Sequence, residues 1–425
     1  MVLVGGFDDP VRLIVLVALL LVVARVLGTV TERIGLTRVV GELGTGFVLG
    51  PSVFGLLAPR LYARLEPAVA SPLVNELSLL GLVFLLALAG LETDVDLVRS
   101  YAREVVVVGS AGLAVPFALG AGLGFAVPAS LLVEGTPRFV FALFFATSLC
   151  ISAIPVIVRI LIDLEAFSTP FGQRTVATAM YTDVVGWLLL SLVVGLARAG
   201  RLDLRAVAGV VLAVTAVFLG AVGPGQRLVD WILGRLAADD VRGHLATLIV
   251  ATVSGSAVTY ALGVEPGLGA FLVGLLFARA GGLPDPARAT FERLTLGLFA
   301  PVFFGVAGIN ADLGLLVDPV VAAVGTVTLA VATVGKIGGV YAAASWLGYD
   351  RWEAAGMGVG LNARGAIEIV IATVGLELGV LTPRLYTVVI GVAVVTSATT
   401  PPLLRRILRR RPRAPPADDR DRPGD

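Results

Sequence analysis

Four ionisable side chains interrupt long apolar runs in this chain: Asp183, Lys336, Arg364 and Glu368. A charge held at the middle of a bilayer costs about 2.5–3.5 kcal/mol on insertion scales, so such positions are where function is expected. Asp183 lies in Ala177-Thr178-Ala179-Met180-Tyr181-Thr182-Asp183-Val184-Val185-Gly186-Trp187. Its carboxylate can take a monovalent cation or a proton but hardly both, because each neutralises the same negative charge. Competition for one carboxylate is the simplest chemistry of exchange. The competing reading is a structural acid paired to a neighbouring helix.

Lys336 stands in Val334-Gly335-Lys336-Ile337-Gly338-Gly339 and is the only lysine among 32 basic Lys and Arg residues. Lysine, unlike arginine, can give up its proton when buried. Compositional depletion of lysine explains its scarcity, but not its address inside an apolar run. A role in ion pairing or proton linkage is therefore expected.

Two segments read as interrupted helices. The first is Leu149-Cys150-Ile151-Ser152-Ala153-Ile154-Pro155-Val156, where Pro155 cannot donate to the helix ladder and frees a carbonyl. The second is Gly358-Val359-Gly360-Leu361-Asn362-Ala363-Arg364-Gly365-Ala366-Ile367-Glu368. Unwound backbone at membrane depth is tolerated only where protein buries it or it lines a cavity, and in transporters such breaks recur in two inverted halves. Pro155 precedes Asp183 by 28 residues and Lys336 precedes Arg364 by 28, a spacing suggestive of symmetry. A plain proline kink competes for the first segment, and mutual neutralisation of Arg364 and Glu368 at i and i+4 for the second.

The elements that must position these groups follow from composition. Of 425 residues, 57% are hydrophobic and 15% charged, with 51 Gly and a mean hydropathy of +0.94. That excludes a water-soluble globule and predicts an all-α polytopic membrane protein. The net charge of +1 offers no nucleic-acid surface. At about 20 residues per crossing, roughly a dozen helices fit. Apolar runs are placed near 11–30, 38–57, 76–92, 104–127, 138–163, 174–197, 204–223, 244–263, 265–280, 293–310, 316–347, 353–377 and 384–404, about thirteen in all. The run 265–280 is short, and the amphipathic stretch Gln226 to Arg242 reads as surface-lying. The first run follows Phe7-Asp8-Asp9-Pro10 without a cleavage site and reads as a retained helix.

Alternate loops hold Arg33, Arg38, Arg99, Arg103, Arg174, Arg227, Arg235, Arg242, Arg288, Arg293 and Arg351, and the tail adds six more between Arg405 and Arg413. The positive-inside bias puts this face in the cytoplasm, with the N-terminus outside and the C-terminus inside. Residues 1–404 form the membrane domain and 405–425 a basic and then disordered cytoplasmic tail. Lone Cys150 excludes an intrachain disulfide and reads as a small buried residue that the break brings to the cavity. His244, the only histidine, reads as a solvated interfacial residue. One His and one Cys cannot build a nucleophile–base pair or a metal cluster, so no enzyme and no cofactor is expected.

Six segments, in order, resemble the monovalent cation/proton antiporter superfamily, in its second branch of bacterial sodium/proton and potassium/proton exchangers. They are Val40-Gly41-Glu42-Leu43-Gly44-Thr45-Gly46-Phe47-Val48-Leu49-Gly50-Pro51-Ser52, Leu82 to Glu92, Ser152-Ala153-Ile154-Pro155-Val156, Gly269-Ala270-Phe271-Leu272-Val273-Gly274, Pro301-Val302-Phe303-Phe304 and Asn362 to Glu368. The resemblance implies a dimerisation domain, a homodimer, and a core of inverted repeats with two crossed broken helices. It implies that Asp183 binds Na⁺ or K⁺ and H⁺, with Ser152 a hydroxyl position of the first break. Lys336 then matches the core lysine, and Arg364 and Glu368, with Asn362 and Gly365 beside them, the second broken helix.

Thr182 and Cys150 depart from the resemblance. Electrogenic members carry two adjacent aspartates where this chain has Thr182-Asp183, and threonine carries no charge. One carboxylate implies one-for-one, electroneutral exchange, with Lys336 turned to Asp183 as partner. Cys150 stands where serine is commoner, a poorer ligand for a hard cation. The expectation is a secondary antiporter of a bacterial cytoplasmic membrane. The alternatives are a potassium efflux channel of the same fold, which the lack of a cytosolic ligand domain opposes, and a transporter of another solute.

Overall fold

The computed structural model describes residues 9–410 except 70, 94, 153, 200–203, 238 and 263–265, and every regular element described is helical. In chain order these are α1 (Asp9–Arg33), α2 (Arg38–Leu49), α3 (Pro59–Val69), α4 (Pro72–Leu91), α5 (Val95–Ser100), α6 (Ala102–Ala126), α7 (Arg138–Cys150), α8 (Ile154–Asp163), α9 (Pro170–Ala199) and α10 (Leu204–Gly220). There follow α11 (Gln226–Leu233), α12 (Val241–Ala261), α13 (Pro266–Arg279), α14 (Asp285–Leu294), α15 (Ala300–Ile309), α16 (Pro319–Trp346), α17 (Arg351–Leu361), α18 (Ala366–Glu377) and α19 (Pro383–Arg410).

Among the described residues, eight helical stretches are long and apolar enough to cross a membrane. One of them joins α14 to α15 through the π-helical turn Thr295–Phe299. With α2, α10, α13 and the split pairs α7/α8 and α17/α18, every predicted apolar run is occupied by helix. Helix starts carry their own signals. Asp318 accepts from the Val320 amide ahead of α16, with Pro319 at the first helical position, and Asp350 caps α17 through Trp352.

Two packed groups emerge. The scaffold pairs α1 with α2, α2 with α15, α4 with α13 and α12 with α13; the core gathers α6, α7, α9, α16, α17, α18 and α19. Small residues set the scaffold spacing. A Cβ on Gly46 would overlap the Gly305 carbonyl, and one on Gly308 the Leu43 carbonyl, so α2 and α15 touch backbone to backbone.

Several expectations change. Helices α3 and α5 were not anticipated, being too short and too polar for an apolar-run criterion. Helix α19 runs to Arg410 rather than 404, since its last-turn Arg409 and Arg410 favour the negative end of the helix dipole. Residues 411–425, most of the predicted tail, lie outside the described residues, as do 1–8. Of the surface-lying stretch, Gln226–Leu233 is helical with Leu228 and Trp231 exposed, and Val241 and Arg242 already belong to α12. His244 is buried at 6% exposure with Nδ1 2.8 Å from the Asp240 carbonyl, not solvated.

Candidate functional site

The two chain breaks fall at residues 151–152, beside the undescribed 153, and at 362–365. Each break strands the C-terminal carbonyls of one half-helix, which at membrane depth need donors. The last three carbonyls of α7 find cations. Arg364 donates to Ser148 O at 3.2 Å and Leu149 O at 2.5 Å, and Lys336 Nζ to Cys150 O at 2.6 Å. The last residue of α17, Leu361, accepts from Ser152 Oγ at 2.8 Å. The two breaks thus face each other, and each closes the other's loose end. Two positive side chains also oppose the negative end of the α7 dipole.

Asp183 sits inside α9, 1% exposed. The Ile154 amide, at the N-terminus of α8, hydrogen-bonds to its carboxylate, the arrangement by which helix N-termini hold anions. Among the described residues its Oδ1 has no hydrogen-bond donor, and neither has Asn362 Oδ1 in the second break. Orphaned acceptors in a dry site favour a bound cation or an added proton.

Lys336 departs from expectation. It lies in the electrostatic neighbourhood of Asp183, but its ammonium group is spent on the Cys150 carbonyl and forms no ion pair with Asp183 among the described residues. The stranded carbonyl requires a donor, and the lysine supplies it. Thr182 turns its hydroxyl to Ala179 O at 2.9 Å, and Cys150 its thiol to Thr147 O at 3.3 Å. Neither side chain presents its proton to the carboxylate. Arg364 and Glu368 pair at 3.3 Å, both 1% exposed, as the i and i+4 spacing suggests.

Pro155 is the second residue of α8 and Gly365 caps α18, so both mark breaks as expected. The equal 28-residue spacings do not mark symmetry, because they join unlike positions. Pro155 belongs to a break and Asp183 to the helix after it, whereas Lys336 belongs to the helix before a break and Arg364 to that break.

Sequence reasoning missed Ser397, whose hydroxyl in α19 donates to the Arg364 carbonyl and holds the second break. The run Thr396-Ser397-Ala398-Thr399-Thr400 in an apolar helix was a usable signal. It also missed the clamp from α9 to α17, Arg174 to Glu353 at 3.1 Å, with the Arg174 guanidinium 5.5 Å and 5.1 Å from the ring centres of Tyr101 and Tyr349.

Comparison with known proteins agrees with this architecture. The solved structure of the sodium proton antiporter MjNhaP1 from Methanocaldococcus jannaschii superposes with a TM-score of 0.72 at 15% identity, over 95% of this chain and 99% of that one, a likeness of fold. The Na(+)/H(+) antiporter NhaS4 of Synechocystis is 30% identical over 94% of this chain and 98% of its own length. The Na(+)/H(+)-K(+) antiporter GerN of Bacillus cereus is 25% identical over 92% and 94%. The chain spans under half, 43%, of the K(+)/H(+) antiporter 1 of Saccharomyces cerevisiae, at 30% identity. Residues 16–409 match the family described as sodium/hydrogen exchanger, transmembrane. With that match over nearly the whole membrane part, two facing broken helices and a buried acid beside them, the chain belongs to the sodium/hydrogen exchanger family.

Proposed function

We propose that the chain is a secondary antiporter that exchanges Na⁺ or K⁺ for H⁺ by alternating access, one for one, with Asp183 as the shared site. The observation that carries this reading is the Asp183 carboxylate, buried to 1%, with an α8 amide on it and an oxygen left without a donor among the described residues. Deprotonated, it takes a cation with the oxygens of Ser152 and Asn362; protonated, it releases the cation. Either guest adds a single positive charge to the same core, so a full cycle moves no net charge. Thr182 contributes no charge, and its hydroxyl donates to Ala179 O as that of Ser152 donates to Leu361 O.

The carbonyls that the breaks free are not ligands in this reading. Lys336, Arg364 and Ser152 already occupy them. These three hold the crossed half-helices as a rigid unit that moves against the scaffold. The arginine-rich face is cytoplasmic by the positive-inside bias, the membrane is a bacterial cytoplasmic membrane by kinship with bacterial relatives, and the working form is a homodimer, as the motif resemblance implies.

The test is proton flux in inside-out vesicles titrated with NaCl and KCl at clamped potential. Asp183→Asn should abolish cation-dependent flux in a protein that still folds. Retained flux in that variant rejects the site, and a rate in the parent that follows the voltage rejects the stoichiometry.

A further inference from the structure

The scheme above leaves the buried carboxylate of Glu42 unused. Glu42, near the start of α2, is 3% exposed. Its side chain has one partner among the described residues, Arg38, whose Nε lies 3.2 Å from one carboxylate oxygen. Arg38 itself keeps 34% of its side chain exposed. A single i and i+4 pair of this kind contributes only about 0.3–0.5 kcal/mol, too little to account for burying a carboxylate.

Glu42 lines a cavity of about 230 Å³ with Glu32, Thr37 and Arg38. Thr37 is 5% exposed and its hydroxyl has no hydrogen-bond partner among the described residues. The cavity spans the scaffold and the core, since its walls include Phe304 of α15 and Val156 of α8. Val156 lies two residues beyond Ile154, whose amide holds Asp183. The cavity therefore abuts the half-helix of the principal site from the arginine-rich face.

A carboxylate oxygen and an unpartnered hydroxyl oxygen on one cavity wall are the hard donors that suit an alkali cation keeping part of its water. Arg38 is positioned to compete with such a guest. Its stem lies along α1 at Gly28, where a Cβ would come within 2.9 Å of Arg38 Cγ, so the glycine makes room for the arginine. We propose that this cavity holds a second monovalent-cation site, made by the Glu42 carboxylate and the Thr37 hydroxyl on the scaffold, whose place the Arg38 guanidinium takes in the conformation described. The cation would pause there between water and Asp183, so the inference rests on the antiporter reading.

The test uses purified full-length protein and thermal unfolding in NaCl or KCl against choline chloride at equal ionic strength. In the Asp183→Asn background, cation-specific stabilisation should persist. It should disappear in Asp183→Asn/Glu42→Gln. In Asp183→Asn/Arg38→Gln the half-saturating cation concentration should fall about tenfold, the scale of losing one charge-assisted competitor. Absence of cation-specific stabilisation in the single variant, or its survival without Glu42, overturns the site. Should the Glu42 variant not fold, an unchanged half-saturating concentration in the Arg38 variant overturns it instead. Failure of the Asp183 reading is seen separately, as exchange surviving Asp183→Asn in vesicles.

Discussion

The hydroxyl of Ser152 in the first break donates to the carbonyl of Leu361, the last residue of α17, across 2.8 Å and 209 positions of sequence. One side chain thereby ends two problems at once. It satisfies a stranded helix carbonyl, and it ties the two broken helices together next to Asp183.

Ser152→Ala should leave the Leu361 carbonyl without its donor at membrane depth and cost about 1–3 kcal/mol of stability. Thermal unfolding in detergent measures this, and Ser152→Thr, which keeps a hydroxyl, should lose less. Equal melting of the alanine variant and the parent would remove Ser152 from this role.

Arg364 and Glu368 form a fully buried pair in which Arg364 also holds two α7 carbonyls. Arg364→Met should destabilise by about 3–5 kcal/mol, because it leaves Glu368 as an uncompensated buried charge. Adding Glu368→Met should recover part of that loss. A double variant whose loss equals the sum of the two single losses would show that the pair is not coupled.

Thr182→Asp places a second carboxylate beside Asp183 at a position with no solvent exposure. A second acid can carry a second proton, so exchange should become voltage-dependent. Proton flux at clamped potential reads this directly. A folded variant that stays indifferent to voltage would detach the stoichiometry from position 182. Some loss of stability is expected, since burying another charge costs about 2.5–3.5 kcal/mol on insertion scales.

The helical scaffold was legible because a bilayer imposes a local requirement: a crossing segment needs about 20 apolar residues, which a run such as that ending at Trp346 declares on its own. Both breaks were legible for a related reason, since proline and glycine act on the backbone where they stand. Asp183, Lys336, Arg364 and Glu368 were legible as candidates because charge in an apolar run is costly wherever it points, and all four are buried.

Apart from the Arg364–Glu368 pairing, what these groups touch was not legible. Lys336 suits an acid as well as it suits a carbonyl, and only the meeting of α16 with the end of α7 turns it to Cys150 O. Where Thr182 and Cys150 send their protons was likewise hidden: local hydrogen bonds to Ala179 and Thr147 take them. Ser397 escaped notice because its role comes from the break that packs against it.

From the amino-acid order alone came the place of the apolar helices, the two unwound points and the ionisable groups set among them, all fixed by hydropathy and backbone chemistry over short stretches. Folding in three dimensions decided which donor answers each stranded carbonyl and which oxygens are left over. Hydrogen bonds reach only about 3 Å, so their partners depend on contacts between segments hundreds of residues apart.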